Sequence, residues 1–236
     1  MSIVYNSSIV TTGLRFCADS ANPRSYPGSG TSWFDVSGQN NTGTLTNGPI
    51  YTAGTSGYFT FDGVDDYVAY TNSNGFGTVS AAPAATLGMW AYIERKAGGG
   101  TQYQQLAGFR NDTNYDFFFL LLDSSGGSVN TEARLRTANG FWDINVAYTN
   151  FNAWCYITFV ANTNRSDLYI NGTLAGSNTN ITGSFGSNSG LFRVGNNLSG
   201  LWSTKGRMSH IHFYNIALTA AQVTQNFNAL RGRYGI

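Results

Sequence analysis

At 236 residues and 25.5 kDa the chain is long enough for one large domain or two small ones, and 42% apolar residues supply a sizeable core. Charged residues make up 11%, against a usual share of about 25%, yet 16 Phe, 14 Tyr and 5 Trp exclude a disordered chain. Thirteen Lys and Arg against twelve Asp and Glu leave a net charge of +1, which gives no field to hold a polyanion and excludes nucleic acid as the expected partner.

In chain order, the opening Met1-Ser2-Ile3-Val4-Tyr5-Asn6 has neither a basic nor a long apolar segment, so no secretory signal is expected and synthesis in a cytoplasm is. Leu14-Arg15-Phe16-Cys17-Ala18 alternates in the manner of a half-buried strand. Gly57 to Phe61, Tyr67 to Tyr70, Thr86 to Ile93 and Asp116 to Leu122 continue the series, followed by Glu132 to Thr137 and Phe141 to Val146. Each is bounded by Gly, Asn, Ser or Pro at intervals of about ten residues. The glycine-rich Ala97-Gly98-Gly99-Gly100 reads as a loop between two of them. Phe117-Phe118-Phe119-Leu120-Leu121-Leu122 is apolar at every position, which requires cover on both faces and predicts a central strand.

Trp154 to Ala161 is a long apolar strand that leads into the sharpest local signal, Asp167-Leu168-Tyr169-Ile170-Asn171-Gly172-Thr173-Leu174-Ala175. Asn-Gly places two successive residues at positive φ, as a type I′ turn demands, so a tight hairpin is predicted there. Leu191 to Val194 is a short strand and Gly206 to Tyr214 the last. The period then changes: Val223, Phe227 and Leu230 fall on one helical face, and Thr219 with Gln222 forms a capping box. Gly232 is expected to stop this helix. The tail Tyr234-Gly235-Ile236, with Arg231 and Arg233, is expected either to pack on its own domain or to dock on a neighbour.

About a dozen strands do not form one open twisted sheet comfortably, whereas two stacked sheets bury an inward face each. The fold class predicted is therefore all-β, a two-sheet antiparallel β-sandwich of the jelly-roll kind with one short C-terminal helix. Residues 1–236 show no internal repeat, charge block or linker, which predicts a single domain. No apolar run approaches the roughly 18 residues of a membrane span. Cys17 and Cys155 each sit in an apolar strand-like segment, where two buried free thiols are expected.

Several segments carry a resemblance. Gly13-Leu14-Arg15-Phe16, then Asp19-Ser20-Ala21-Asn22-Pro23-Arg24-Ser25-Tyr26-Pro27-Gly28-Ser29-Gly30 and Trp33-Phe34-Asp35-Val36-Ser37-Gly38, resemble the start of a concanavalin A-like, laminin-G-like jelly roll of the kind found in virion proteins of tailed phages, cyanophages among them. Phe61-Asp62-Gly63-Val64-Asp65-Asp66-Tyr67-Val68 resembles the family's FDG-x-DDYV segment, Trp154 through Gly172 its strand and L-Y-I-N-G hairpin, and Gly206 to Ala221 its close. The match runs through nearly the whole chain in order. Where many relatives carry an acidic pair before the last strand's aromatic, this chain has Ser209-His210, so no metal or salt-bridge role of those acids transfers.

The resemblance implies a non-enzymatic virion structural protein, assembled in a host cytoplasm. We expect a capsid decoration or cement protein that adheres through loops and edge strands over about 1,000 Å² or more. The alternative is a tail fibre or adhesin module that binds host surface glycans. Expected partners are other virion proteins, capsid or tail subunits, further copies of the chain, and glycans in the alternative reading; neither nucleic acid nor membrane is among them, and no cofactor is called for.

The chemistry-bearing residues agree with a binding role. Glycan-cleaving sandwiches of the retaining kind hold two carboxylates about 5 Å apart, supplied by a strand with Glu at alternate positions. Glu94 and Glu132 are the only glutamates, and neither has an acidic neighbour two or four residues away. A Ser-His-Asp triad is not excluded by spacing, but no G-x-S-x-G elbow accompanies it. His210 and His212 fall on one side of a strand, where a structural role is favoured over a metal. Asp62, Asp65 and Asp66 have the chemistry for calcium, and a role in shaping the turn before Tyr67 is favoured; no metal is expected. Aromatic faces stack on sugar rings, and Trp202, Trp142 and Tyr103 lie beside Gly- and Asn-containing loops, with Trp202 the foremost glycan-platform residue. Trp33, Trp90 and Trp154 are expected to be packing residues.

Overall fold

A computed structural model describes residues 8–70, 84–96, 102–110, 116–123, 129–137, 140–182, 192–197 and 200–236. The strands are β1 (Leu14–Asp19), β2 (Ser32–Phe34), β3 (Thr42–Thr46), β4 (Ile50–Thr52), β5 (Tyr58–Asp62), β6 (Tyr67–Tyr70), β7 (Ala84–Ile93) and β8 (Gln102–Arg110). They continue with β9 (Asp116–Asp123), β10 (Val129–Thr137), β11 (Gly140–Ala147), β12 (Trp154–Asn162), β13 (Ser166–Ile170), β14 (Thr173–Asn178), β15 (Phe192–Val194) and β16 (Lys205–Tyr214). Helix α1 (Ala220–Leu230) follows. Two eight-stranded sheets result, and their strand pairings are antiparallel. The first runs β14-β13-β12-β7-β16-β5-β4, with β1 also on β16, and the second runs β11-β10-β9-β8-β15-β6-β3-β2. This is the predicted jelly-roll sandwich.

Strand β16 organises the first sheet. Its first half, Lys205 to Met208, pairs with β5, and its second half, His210 to Tyr214, pairs with β1 along the same edge. Ser209 is the bulged residue at the junction. Its carbonyl accepts from Ser20 N–H at 2.9 Å, and its hydroxyl bonds the carbonyls of Ser56 and Gly57. A small hydroxyl stitches two strand ends here.

Alternation along the strands builds two apolar layers. Phe16, Phe59, Phe61, Met89, Phe109, Phe192 and Phe213 point between the sheets and bury there with Trp33 and Tyr70. Each such side chain contributes roughly 1.5–3 kcal/mol when removed from water. On the outer face of the first sheet, Trp90, Tyr156, Val160 and Tyr214 lie under Val223, Phe227 and Leu230 of α1. Strands β7, β12 and β16 are therefore apolar on both faces because a helix covers half of one.

Local signals are realised in detail. Asn171 and Gly172 adopt φ of 50° and 77°, the type I′ pattern. Asn171 also exchanges bonds with Tyr156, its Oδ1 accepting the backbone N–H at 2.9 Å and its own N–H donating to the carbonyl at 2.8 Å. Thr219 and Gln222 complete the capping box. Gly232 does not stop the chain's helical run: α1 ends at Leu230, but a 3₁₀ turn, Arg231–Tyr234, continues through Gly232, and the left-handed residue is Gly235 at φ 74°. The turn carries Tyr234 onto Trp90, rings 4.1 Å apart and nearly parallel, and Arg233 onto Asp19 at 2.8 Å. Those contacts hold the turn, so the tail packs on its own domain.

Cys17 and Cys155 are free and buried, on opposite faces of the first sheet. Phe117 to Leu122 form β9, an interior strand between β8 and β10; their side chains, and that of Glu132, lie outside the described residues, as does the 97–100 loop. Strands β2, β3 and β4, of three, five and three residues, are too short to display a period. β8 escapes a periodicity reading because its polar residues are paired with groups distant in sequence.

Candidate functional site

Several connections converge where β5, β7, β8 and β16 begin or end. β5 turns through Asp62–Asp66 into β6, β7 runs out at Glu94–Lys96, β8 enters at Gln102, and the chain from Gly195 to Thr204 leads into β16.

Two glutamines on β8 anchor this end. Gln104 points between the sheets, its amide donating to Glu94 O at 3.1 Å and its carbonyl accepting from Lys205 N–H at 2.8 Å. Gln105 lies under the Gly195–Thr204 connection, where its N–H donates to Trp202 O at 2.8 Å and Thr204 Oγ1 donates to its carbonyl at 2.8 Å. Both glutamines are fully buried, and apart from Gln105 Oε1 their side-chain groups find partners distant in sequence, so this polar stretch becomes a strand through tertiary contacts. That is why sequence periodicity misses it.

The connection itself is held from within. Asn197 Oδ1 accepts the N–H of Leu201 at 2.9 Å and of Trp202 at 3.2 Å. Arg193 Nη1 donates to Asn196 Oδ1 and Asn197 O, and Ser203 Oγ donates to Val64 O at 2.7 Å, tying the connection to the acidic turn. Gly195 has φ of 94°, and a Cβ there would meet the Phe61 ring at 2.5 Å, so only glycine fits.

On this base Tyr103 and Trp202 stack, with centroids 5.2 Å apart and planes 23° from parallel. Tyr103 and Gln105 share a face of β8, so Tyr103 emerges beside the connection that Gln105 supports. Tyr103 is 38% exposed; Leu201 at 75% and Val64 at 70% flank the pair. The predicted platform residues Tyr103 and Trp202 are thus brought together. Trp142 is not with them: it lies on β11, three strand spacings or about 14 Å from β8, and packs against the inter-sheet core. Trp33 and Trp90 are fully buried, as packing residues should be, and Trp154 is half-buried.

Asp62, Asp65 and Asp66 bring carboxylate oxygens within 4.8 Å of one another. Asp62 Oδ1 accepts Val64 N–H at 2.7 Å and Asp66 Oδ2 accepts Asp62 N–H at 2.9 Å, so two of the acids shape the turn. Burial pushes the Asp66 carboxyl up to about 6, against the pull of that N–H and helped by its two acidic neighbours. Burial likewise lowers the Lys96 ammonium, whose Nζ donates to Ser203 O. Glu94 pairs with Lys205 at 3.7 Å. A partly open π face with apolar, amide and carboxylate groups in the neighbouring turns has the chemistry to take a ligand by stacking and hydrogen bonding.

The two histidines stand on the other face of β16's second half, rings 5.1 Å apart and buried. His212 Nε2 meets Tyr156 Oη at 2.6 Å and His210 Nε2 meets Cys17 Sγ at 3.4 Å, both interior contacts of the layer under α1.

Among solved structures, the chain is similar to the binding domain of paraclostridial mosquitocidal protein 1, at 18% identity and a TM-score of 0.71 over 93% of this chain and 52% of that one. It is also similar to the botulinum neurotoxin serotype D ligand-binding domain solved with N-acetylneuraminic acid, at 13% and 0.69 over 92% and 51%. A botulinum neurotoxin type C structure, from work on its cell entry through two ganglioside molecules, aligns at 13% and 0.70 over 94% and 52%. The chain spans about half the length of each. No curated protein matches the sequence. Residues 61–224 match the family described as the concanavalin A-like lectin/glucanases superfamily, and with that span covering most of the sandwich, the chain belongs to that family.

Proposed function

We propose that this chain is a non-enzymatic glycan-binding module that works in the manner of an adhesin. The observation that carries the reading is the Tyr103–Trp202 stack, a partly open π surface mounted on buried glutamine and asparagine anchors and therefore pre-organised before any ligand arrives. A sugar's C–H face lies on the ring while nearby backbone and amide groups take its hydroxyls. The lectin family and the carbohydrate-bound structures that share the fold support it.

The test is a glycan array followed by titration calorimetry on the folded chain. Wild type is expected to bind at least one glycan saturably, and Trp202→Ala or Tyr103→Ala to weaken it up to about tenfold, since an aromatic contact contributes roughly 0.5–1.5 kcal/mol beyond its area. Absence of saturable binding, or equal binding by both variants, overturns the reading.

The proposed setting is the surface of a tailed-phage particle, as the resemblance of residues 13–38 implies. There a second reading, capsid decoration, is favoured by the exposed Leu201 and Val64 beside the platform, which suit a protein contact. Imaging of purified particles distinguishes the two: density for this chain on capsid lattice sites supports decoration, and density at the tail tip supports the adhesin. Absence from purified particles overturns the setting.

A further inference from the structure

A second aromatic surface lies on the opposite sheet, away from the Tyr103–Trp202 stack. The register sets Arg207 on β16 directly beside Tyr92 on β7, and Tyr92 directly beside Trp154 on β12. On the other side of Arg207, Tyr58 comes from β5. The guanidinium carbon lies 4.4 Å from the Tyr92 ring centre and 5.2 Å from that of Tyr58. Trp154 meets Tyr58 at 5.7 Å and Tyr92 at 5.9 Å, both edge-on, and leans on Tyr234 at 4.8 Å. The row continues the layer under α1 onto the half of the sheet that the helix leaves uncovered, and all four of its residues are half-buried.

The charge in this row is unanswered. Among the described residues Arg207 makes no hydrogen bond and no ion pair; its neighbours hold it by their ring faces alone. A guanidinium carries five N–H donors in a planar fork that matches a carboxylate or sulfate two bonds at a time. The Trp154 indole N–H and the Tyr58 and Tyr92 hydroxyls are likewise without partners among the described residues, and none of them is a buried orphan, so they face water. Fixed rings with wet polar tips around an uncompensated cation form a surface for a ligand that is apolar on one face and anionic at one edge. With a net charge of +1 and one arginine in the row, a polyphosphate backbone is a poor match.

We infer that this face binds acidic saccharides, the sugar ring lying against Tyr92 and Trp154 and its carboxylate or sulfate taking the free N–H groups of Arg207. The site is independent of the Tyr103–Trp202 platform and stands whether or not that platform binds neutral glycans.

The experiment titrates the full chain with oligogalacturonate and with chondroitin sulfate oligosaccharides, and with maltohexaose as a neutral control, at low and high salt. Wild type is expected to bind an acidic member and to quench tryptophan fluorescence, with binding weakened by salt. Arg207→Gln is expected to weaken that binding about tenfold at an unchanged melting temperature, and Arg207→Lys, which keeps charge but not the fork, to lose less. Trp202→Ala should leave acidic binding intact, which separates this site's failure from that of the platform. Binding of both acids assigns the carboxylate, which chondroitin sulfate also carries, and binding of chondroitin sulfate alone assigns the sulfate. Failure of every acidic saccharide to bind folded wild type, or wild-type binding by Arg207→Gln, overturns the assignment. So does equal binding of polyglutamate, which would make the occupant an acidic protein segment.

Discussion

His210 and His212 show how burial converts an ordinary side chain into a stability sensor. Burial holds the His210 imidazole down at about 4, with Asp19 pulling it up and Arg233 pushing it down, and His212 well below its usual value, lowered by burial and by its neighbour. Each ring also keeps its Nδ1 without a partner in the interior. In the unfolded chain both protonate near pH 6.5, so the unfolded state binds more protons below that point. Their contribution is fully present above pH 6.5 and is lost as pH falls towards 4. For His210 alone the loss approaches about 3 kcal/mol at 1.36 kcal/mol per pH unit. Denaturant midpoints measured from pH 7.5 to 4.5 are expected to fall, and His210→Asn to flatten the fall while lowering the midpoint at neutral pH. Asp66, pushed up to about 6, takes up a proton in the folded state over the same range and opposes the fall, so the profile is read in Asp66→Asn, where a flat course would show that the rings titrate in the native state. The spacing of the pair placed both on one face; the cover from α1 that makes them neutral comes from residues further along the chain.

At the scale of elements, signals that are local in chemistry were legible and those that depend on distant partners were not. Asn171-Gly172 prescribes its turn through backbone geometry alone, and Thr219 with Gln222 prescribes the start of α1. β8 reads as a polar tract because Gln104 and Gln105 find their partners near Glu94 and Lys205 and in the Gly195–Thr204 connection. Tyr103 and Trp202 were both visible as aromatics beside loops, but that they stack, and that Trp142 faces the core, follows from strand order. The Arg207 row is a cross-strand pattern over β5, β16, β7 and β12, which no linear period displays. Gly232 looked like a stop because the packing of Tyr234 on Trp90 is invisible locally. The hairpin offers a direct test: Gly172 lies at positive φ with its Cβ position 3.1 Å from the Phe227 ring, and Thr224 Oγ1 donates to its carbonyl. Gly172→Ala is expected to destabilise by about 1–2 kcal/mol, read as a lower urea midpoint, because left-handed strain and contact with α1 add. An unchanged midpoint would mean that the helix shifts freely on the hairpin.

At the scale of the molecule, both apolar layers are built on the same strands, β7, β12 and β16, so the sandwich and its helix should melt together. Cys17 and Cys155 report on the two faces, and burial raises both thiols, Cys155 to about 12 and Cys17 further. In a urea series, labelling of both by a thiol reagent is expected to coincide with the tryptophan fluorescence transition. Earlier labelling of Cys17 would show the helical layer opening by itself. The long β16 also has a vectorial consequence. At its Tyr214 end the amino-terminal segment is fastened, Tyr214 Oη donating to Val10 O at 2.9 Å and Asn226 Oδ1 accepting Val10 N–H at 2.8 Å. Its Lys205 end lies roughly 30 Å away, beside the ring stack and the arginine row. A tether entering through residue 8 would therefore grip the domain by one pole and hold both ring-bearing surfaces toward the other, facing outward like a lamp on its bracket.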